Sequence, residues 1–257
     1  IVAANDTEVL NKGIIQIDGE NSVGIFGVNT IDDPISLLGY GTGGINIVHE
    51  GEIKSTALSG ERYGIYANNN ATTGVATADS KIKTAANSKI DLSSGKGGVG
   101  IYANKSTVTH GGEISLFSDG TGSSSGSGIY VLNDSEVEIT TSGSVTVAGD
   151  KGYGLFLGNS NGTNNGIINV NKESIGINVT GTGKIANNNN NITIGEASAG
   201  LYIDGNATGN NNTGGTINSV SDDALGIFIG TGSTGTNAGN VTLSGKEASG
   251  VYNKGTF

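Results

Sequence analysis

The sequence predicts an all-β chain wound as a parallel β-helix, a solenoid of about 9–11 rungs with roughly 25 residues in each. Three observations carry that expectation. A short glycine-led motif recurs nine times, alternating strands precede most of its copies, and glycine is abundant while proline is nearly absent. The 257 residues include 46 Gly and a single Pro, Pro34. Ile, Val, Leu and Ala supply most of the apolar content and Asn, Thr and Ser much of the polar content, a mixture that forms strands and turns rather than helices.

The motif is Gly, a branched aliphatic, then usually an aromatic residue. It reads Gly24-Ile25-Phe26, Gly64-Ile65-Tyr66, Gly100-Ile101-Tyr102, Gly128-Ile129-Tyr130, Gly154-Leu155-Phe156, Gly176-Ile177-Asn178, Gly200-Leu201-Tyr202, Gly226-Ile227-Phe228 and Gly250-Val251-Tyr252. Successive copies lie 40, 36, 28, 26, 22, 24, 26 and 24 residues apart. The whole chain, 1–257, therefore reads as one segment, with longer insertions around 27–62 and 67–98.

Seven to eleven residues before most copies stands a strand of period two, as in Ile15-Gln16-Ile17, Ile90-Asp91-Leu92, Val145-Thr146-Val147, Ile168-Asn169-Val170, Ile192-Thr193-Ile194 and Val241-Thr242-Leu243. Such alternation marks a strand buried on one face. Its middle residues, Gln16, Asp91, Thr146, Asn169, Thr193 and Thr242, then form a mixed solvated row, unsuited to the uniform threonines of an ice-binding face. A third strand per repeat is suggested at Gly183-Lys184-Ile185-Ala186. One repeat buries too little to stand alone, so each must pair its backbone with neighbours above and below. Corners with positive φ explain the glycines, and Pro is excluded because interior rungs need their N–H groups. Pro34 falls in the first insertion.

Charge and composition narrow the partners. The net charge of −10, from 13 basic and 23 acidic residues, argues against nucleic acid and anionic membranes. No apolar run is long enough for a transmembrane helix, so no direct membrane insertion is expected of this segment. The absence of Cys removes thiol chemistry and Cys-based metal sites. The chain starts at Ile1 without Met and ends in mid-pattern at Phe257, which reads as a piece of something longer.

The tandem Gly-[Ile/Val/Leu]-[Tyr/Phe] units, spaced by Asn/Thr/Gly-rich segments and alternating strands, resemble the passenger regions of large type V autotransporter adhesins, in particular fusobacterial-type outer-membrane adhesins. The resemblance is one of repeat style and spans about Val9 to Tyr252. It implies a right-handed parallel β-helix, displayed outside the outer membrane of a bacterial cell surface. It also implies a non-catalytic, rod-like and monomeric adhesin segment whose partner is a host-cell or bacterial surface protein or glycan. An enzyme acting on polysaccharide, or a purely structural stalk, remains the alternative.

Candidate sites follow from the repeat. Alternation places the aliphatics of the motif on one face and Phe26, Tyr66, Tyr102, Tyr130, Phe156, Tyr202, Phe228 and Tyr252 on the other. The motif glycine is expected on the aromatic side, leaving room beside each ring. The rings either form a stacking surface for a ligand, or only stabilise rung stacking, or point inward. No catalytic set, cofactor or metal site is expected. Asp32-Asp33 and Asp222-Asp223 sit in turn-like sequence, and Arg62 stands in a loop beside Glu61. His49 and His110 read as surface residues about two rungs apart. The asparagine runs 68–70, 187–191 and 210–212 read as corners or loops. These runs and the insertion 30–60 are the places where recognition loops would lie.

Overall fold

The computed structural model describes residues 1–4, 7–28, 44–69, 80–120 and 126–257. Among them are 28 strands and no helix, arranged in three parallel sheets of ten, nine and nine strands. The chain visits the sheets in strict rotation. Tyr153–Gly158 lies in the first, or motif, sheet, Asn161–Asn164 in the second and Ile167–Lys172 in the third. The next strand, Ile175–Thr180, then returns beside Tyr153–Gly158 in parallel register. The fold is thus a parallel β-helix whose rungs are about 25 residues long, as the repeat predicts. The third strand expected near Ile185 is Ile185–Asn188, one member of a complete second sheet.

Aliphatic rows run the length of the interior. In the motif sheet Ile25, Ile65, Ile101, Ile129, Leu155, Ile177, Leu201 and Ile227 stack in register, each fully buried. Ile53, Ile90, Ile114, Val145, Ile168, Ile192 and Ile217 do the same in the third sheet. The outward row of that sheet is the mixed one expected, from Gln16 through Asp91, Thr146 and Asn169 to Thr242.

The second sheet fills its share of the core differently along the rod. Its inward row begins with Val9, Ile47, Ile82, Val108 and Val137 and continues as Gly162, Ala186, Gly209 and Gly235. The facing row of the motif sheet changes in the opposite sense, from Gly27, Ala67 and Ala103 to Val131, Leu157, Val179, Ile203 and Ile229. A Cβ on Gly27 would meet Ile47 at 3.2 Å, and one on Gly162 would meet Leu157 at 2.8 Å. Volume moves from one sheet to the other while the rung stays filled, as close packing requires.

Positive φ is not what most glycines supply. Among the described residues ten glycines have positive φ, but so do eleven other residues. Asn21, Lys151, Glu173, Ala197, Asp223 and Glu247 each occupy the left-handed corner three residues before a motif glycine. Pro34 and Asp32-Asp33 lie outside the described residues; Asp222-Asp223 does form a turn.

Candidate functional site

The motif strands present their third residue outward, between inward neighbours. In Val99–Asn104, Ile101 and Ala103 are fully buried and Tyr102 between them is part-exposed. Register places Phe26 beside Tyr66, then Tyr102, Tyr130 and Phe156, and farther on Tyr202, Phe228 and Tyr252. The rings lie nearly parallel. Centroid distances are 5.3 Å for Phe26–Tyr66, 4.5 Å for Tyr66–Tyr102, 5.9 Å for Tyr102–Tyr130 and 4.4 Å for Tyr130–Phe156. They are 4.3 Å for Tyr202–Phe228 and 5.7 Å for Phe228–Tyr252. These separations are set by the inter-strand spacing of about 4.8 Å, which suits offset stacking. Tyr63 and Tyr153, outside the motif, add edge-on contacts to Tyr66 and Phe156 at 5.3 and 5.2 Å.

Burial holds the phenols of Tyr66, Tyr102 and Tyr130 neutral. The Tyr102 hydroxyl is pushed up to about 12, first by desolvation and then by Tyr66, Tyr130 and Tyr63. Tyr66 and Tyr130 shift the same way, both chiefly by burial. The site is therefore an uncharged, part-exposed aromatic strip with hydroxyls among its rings.

All the motif glycines but Gly250, in the last rung, face the core, contrary to the expectation of room beside each ring. The ladder pairs Val99 with Ser127 and Ile101 with Ile129, passing over Gly100 and Gly128. That irregularity turns the glycine inward. A Cβ on Gly100 would stand 2.5 Å from the Gly128 carbonyl oxygen and 2.6 Å from Ile114 Cγ2. On Gly176 it would meet Ile192 Cγ2 at 2.5 Å and the Gly200 oxygen at 2.7 Å. Close approach, not φ, demands glycine here.

Asn178 interrupts the strip. It pairs with Phe156 on one side and Tyr202 on the other, dividing five stacked rings from three.

The remaining polar candidates are structural. His49 and His110 are fully buried, which corrects their surface assignment. They belong to an inward row at the end of the second sheet: Asn11, His49, Thr84, His110, Ile139, Asn164, Asn188, Asn211 and Asn237. His49 Nδ1 lies 3.1 Å from Asn11 Nδ2 and its Nε2 lies 3.1 Å from the Lys89 carbonyl. His110 Nδ1 lies 2.7 Å from Thr84 Oγ1, with Nε2 3.1 Å from the Ser144 carbonyl. Asn164, Asn188 and Asn211 each donate to the next amide, at 2.8, 2.8 and 2.7 Å.

The asparagine runs are likewise not protruding loops. Asn187 and Asn188 end one strand and Asn191 begins another. Asn189 and Asn212 continue a second amide ladder from Asn165, at 2.8 Å per step. Asn68 accepts from Asn104 at 2.8 Å; Asn70 lies outside the described residues. Stacked identical amides satisfy each other across rungs.

Arg62 opens the motif strand Arg62–Asn68 rather than standing in a loop, and it is fully buried. Its guanidinium donates to the carbonyls of Ala57, Lys96 and Gly97 at 2.6, 2.9 and 2.6 Å, and makes no ion pair among the described residues. It ties two corners together from within.

An open groove of about 490 Å³ crosses the C-terminal part of the third sheet, between Val170, Thr193, Ile194, Asn218, Val220 and Thr242. No titratable side chain lines it. Among the described residues no three His, Asp or Glu side chains gather as a metal site. The insertion 30–60 is described only from residue 44, where it supplies the strands Asn46–His49 and Glu52–Lys54. Comparison with known proteins finds no matching family model, no matching curated protein and no matching solved structure.

Proposed function

We propose that this chain is a non-catalytic segment of a bacterial surface adhesin, which presents its aromatic strip to a glycan or protein on another cell. The observation that carries the reading is the strip itself. Eight rings stand outward along one sheet, part-exposed and uncharged, on a scaffold held rigid by three ladders. Exposed aromatic surface of this kind is characteristic of interfaces, because flat rings desolvate readily and lose little rotamer freedom. The resemblance of the repeat to autotransporter passengers supports placing it outside the cell. An enzymatic reading finds less support, since glycoside hydrolysis uses two carboxyls within several ångströms. The groove on the third sheet offers none.

The test is binding of the purified chain to immobilised host and bacterial surface glycans and proteins, compared with the double substitution Tyr102→Ala and Tyr130→Ala. The variant removes two adjacent rings of the longer stack. Binding is expected to fall at least tenfold while circular dichroism and the m-value of unfolding stay those of the intact rod. Undiminished binding would reject the strip and direct attention to the segments 29–43 and 70–79, which follow motif strands in the sequence.

A further inference from the structure

The open groove on the third sheet lies where the strands of that sheet become short. Glu113–Asp119 and Ser144–Asp150 run for seven residues, whereas Asn191–Ile194, Thr216–Ser219 and Asn240–Leu243 run for four. The groove spans four rungs, from Val170 to Thr242, and encloses about 490 Å³. At the usual strand spacing that makes a trough about 14 Å long. Thr193, Asn218 and Thr242 line it in register, and Gly195, Val220 and Ser244 each follow two residues later. Gly195 leaves a gap between Asn171 and Val220. A Cβ there would stand 2.8 Å from the Asn171 carbonyl carbon and 3.0 Å from Asn171 Oδ1, so the gap requires glycine. Val220 is 86% exposed, more than any other large apolar side chain among the described residues. The side chains of Asn171, Ser221, Thr242 and Ser244 make no hydrogen bond within the described chain. Asn218 Nδ2 donates to Asn191 Oδ1 at 2.7 Å and Thr193 Oγ1 accepts from Asn191 at 3.1 Å, which leaves the Asn218 Oδ1 acceptor and the Thr193 hydroxyl proton to spare.

We infer that this groove binds a linear neutral oligosaccharide laid along the rod axis, at a site separate from the aromatic strip. The lining offers what a chain of pyranose rings uses. Val220 supplies an aliphatic surface for a C–H face, and the amides and hydroxyls supply donors and acceptors for the ring hydroxyls. A single ring would leave most of the trough empty. Charge selects against an acidic chain. No titratable side chain lines the groove, and the corners beyond it carry Glu173, Glu196, Asp222, Asp223 and Glu247 against Lys172 and Lys246. Both lysines already pair with corner carboxylates, Lys172 with Glu196 at 3.2 Å and Lys246 with Glu247 at 3.4 Å. A peptide fits less well. Extended backbone docks on a free strand edge, and Ile167–Lys172, Asn191–Ile194 and Thr216–Ser219 are each paired on both sides.

The experiment is amide chemical-shift mapping by NMR of the intact, isotope-labelled chain. The probes are the tetrasaccharides of cellulose, starch and chitin, with tetragalacturonate as the acidic counterpart and an uncharged Ser/Gly peptide as the backbone control. At least one neutral tetrasaccharide should shift the amides of Gly195, Asn218 and Val220 saturably and bind at least tenfold more tightly than tetragalacturonate. Val220→Asp, a change at an exposed position outside the core, should weaken that binding at least tenfold. Thr242→Val, which removes one free hydroxyl, should weaken it at least threefold. No saturable shift with any neutral tetrasaccharide, unchanged binding in both variants, equally tight binding of tetragalacturonate, or a response to the peptide alone would each overturn the assignment. The strip variant Tyr102→Ala/Tyr130→Ala should keep the groove shifts of the parent, and their loss there would refute a separate site. The two readings therefore fail separately. Oligosaccharide binding by a chain that attaches to no surface array keeps the groove and removes the adhesin function. Surface attachment unaffected by Val220→Asp, with no neutral oligosaccharide bound, does the reverse.

Discussion

At the scale of single residues, the interior row that ends the second sheet couples the fold to pH. Burial holds His110 neutral and lowers its pKa to about 4; His49 is lowered for the same reason. In the unfolded chain both titrate near 6.5. Above that value neither state binds the proton and no penalty arises. As pH falls below it, the unfolded chain takes up protons that the folded chain refuses, so stability declines until pH reaches the folded value. For His110 the full loss is about 3 kcal/mol. Replacing both histidines by Asn, the residue that holds this row in the C-terminal rungs, should flatten the dependence. Melting temperatures at pH 7 and pH 4.5 would show a smaller drop in His49→Asn/His110→Asn than in the parent, the carboxylates being common to both. An equal drop would place the proton-sensitive group elsewhere. Sequence reasoning put these histidines on the surface because two polar residues 61 positions apart carry no periodicity. Only the register, which sets Thr84 between them, shows that they share a buried row with asparagines.

At the scale of elements, legibility followed the distribution of aliphatic side chains. The motif and third sheets declare themselves through alternating Ile, Leu and Val. The second sheet does so poorly, because its later inward positions are Gly162, Ala186, Gly209 and Gly235. Their partners across the core, Leu157, Val179, Ile203 and Ile229, carry the volume instead. The inward turn of the motif glycine was hidden for another reason. Strict period two assigns it to the aromatic face, and the skipped pair in the ladder reverses it. The exchange of volume between sheets can be tested directly. Gly209→Val would collide with Ile203 and is expected to cost about 1–3 kcal/mol. Adding Ile203→Ala, which copies the arrangement of Ala103 facing Val108, should return part of that loss. A double-mutant cycle in urea should give a favourable coupling of at least about 0.5 kcal/mol; strict additivity would contradict the proposed complementarity.

At the scale of the whole molecule, each rung touches mainly the rung before and after it, so damage should remain local. Gly200→Ala forces a methyl group to within 2.5 Å of Ile217 Cγ2 and 2.7 Å of the Gly226 oxygen. In native-state hydrogen exchange its loss of protection is expected to centre on residues 175–230, leaving the strands between 80 and 120 as in the parent. Loss spread evenly along the rod would indicate one cooperative unit. The migration of bulk from the second sheet to the motif sheet has a consequence for how such a chain finds its structure at all. Near-identical repeats invite an off-by-one error, in which a rung docks on its neighbour's neighbour and the mistake propagates. Here the interior changes along the rod, large against small at one end and small against large at the other. A rung docked wrongly across the changeover would set Gly162 opposite Ala103 or Val137 opposite Leu157, leaving a void or a clash. The gradient acts as an address written along the core, readable during folding and invisible from outside.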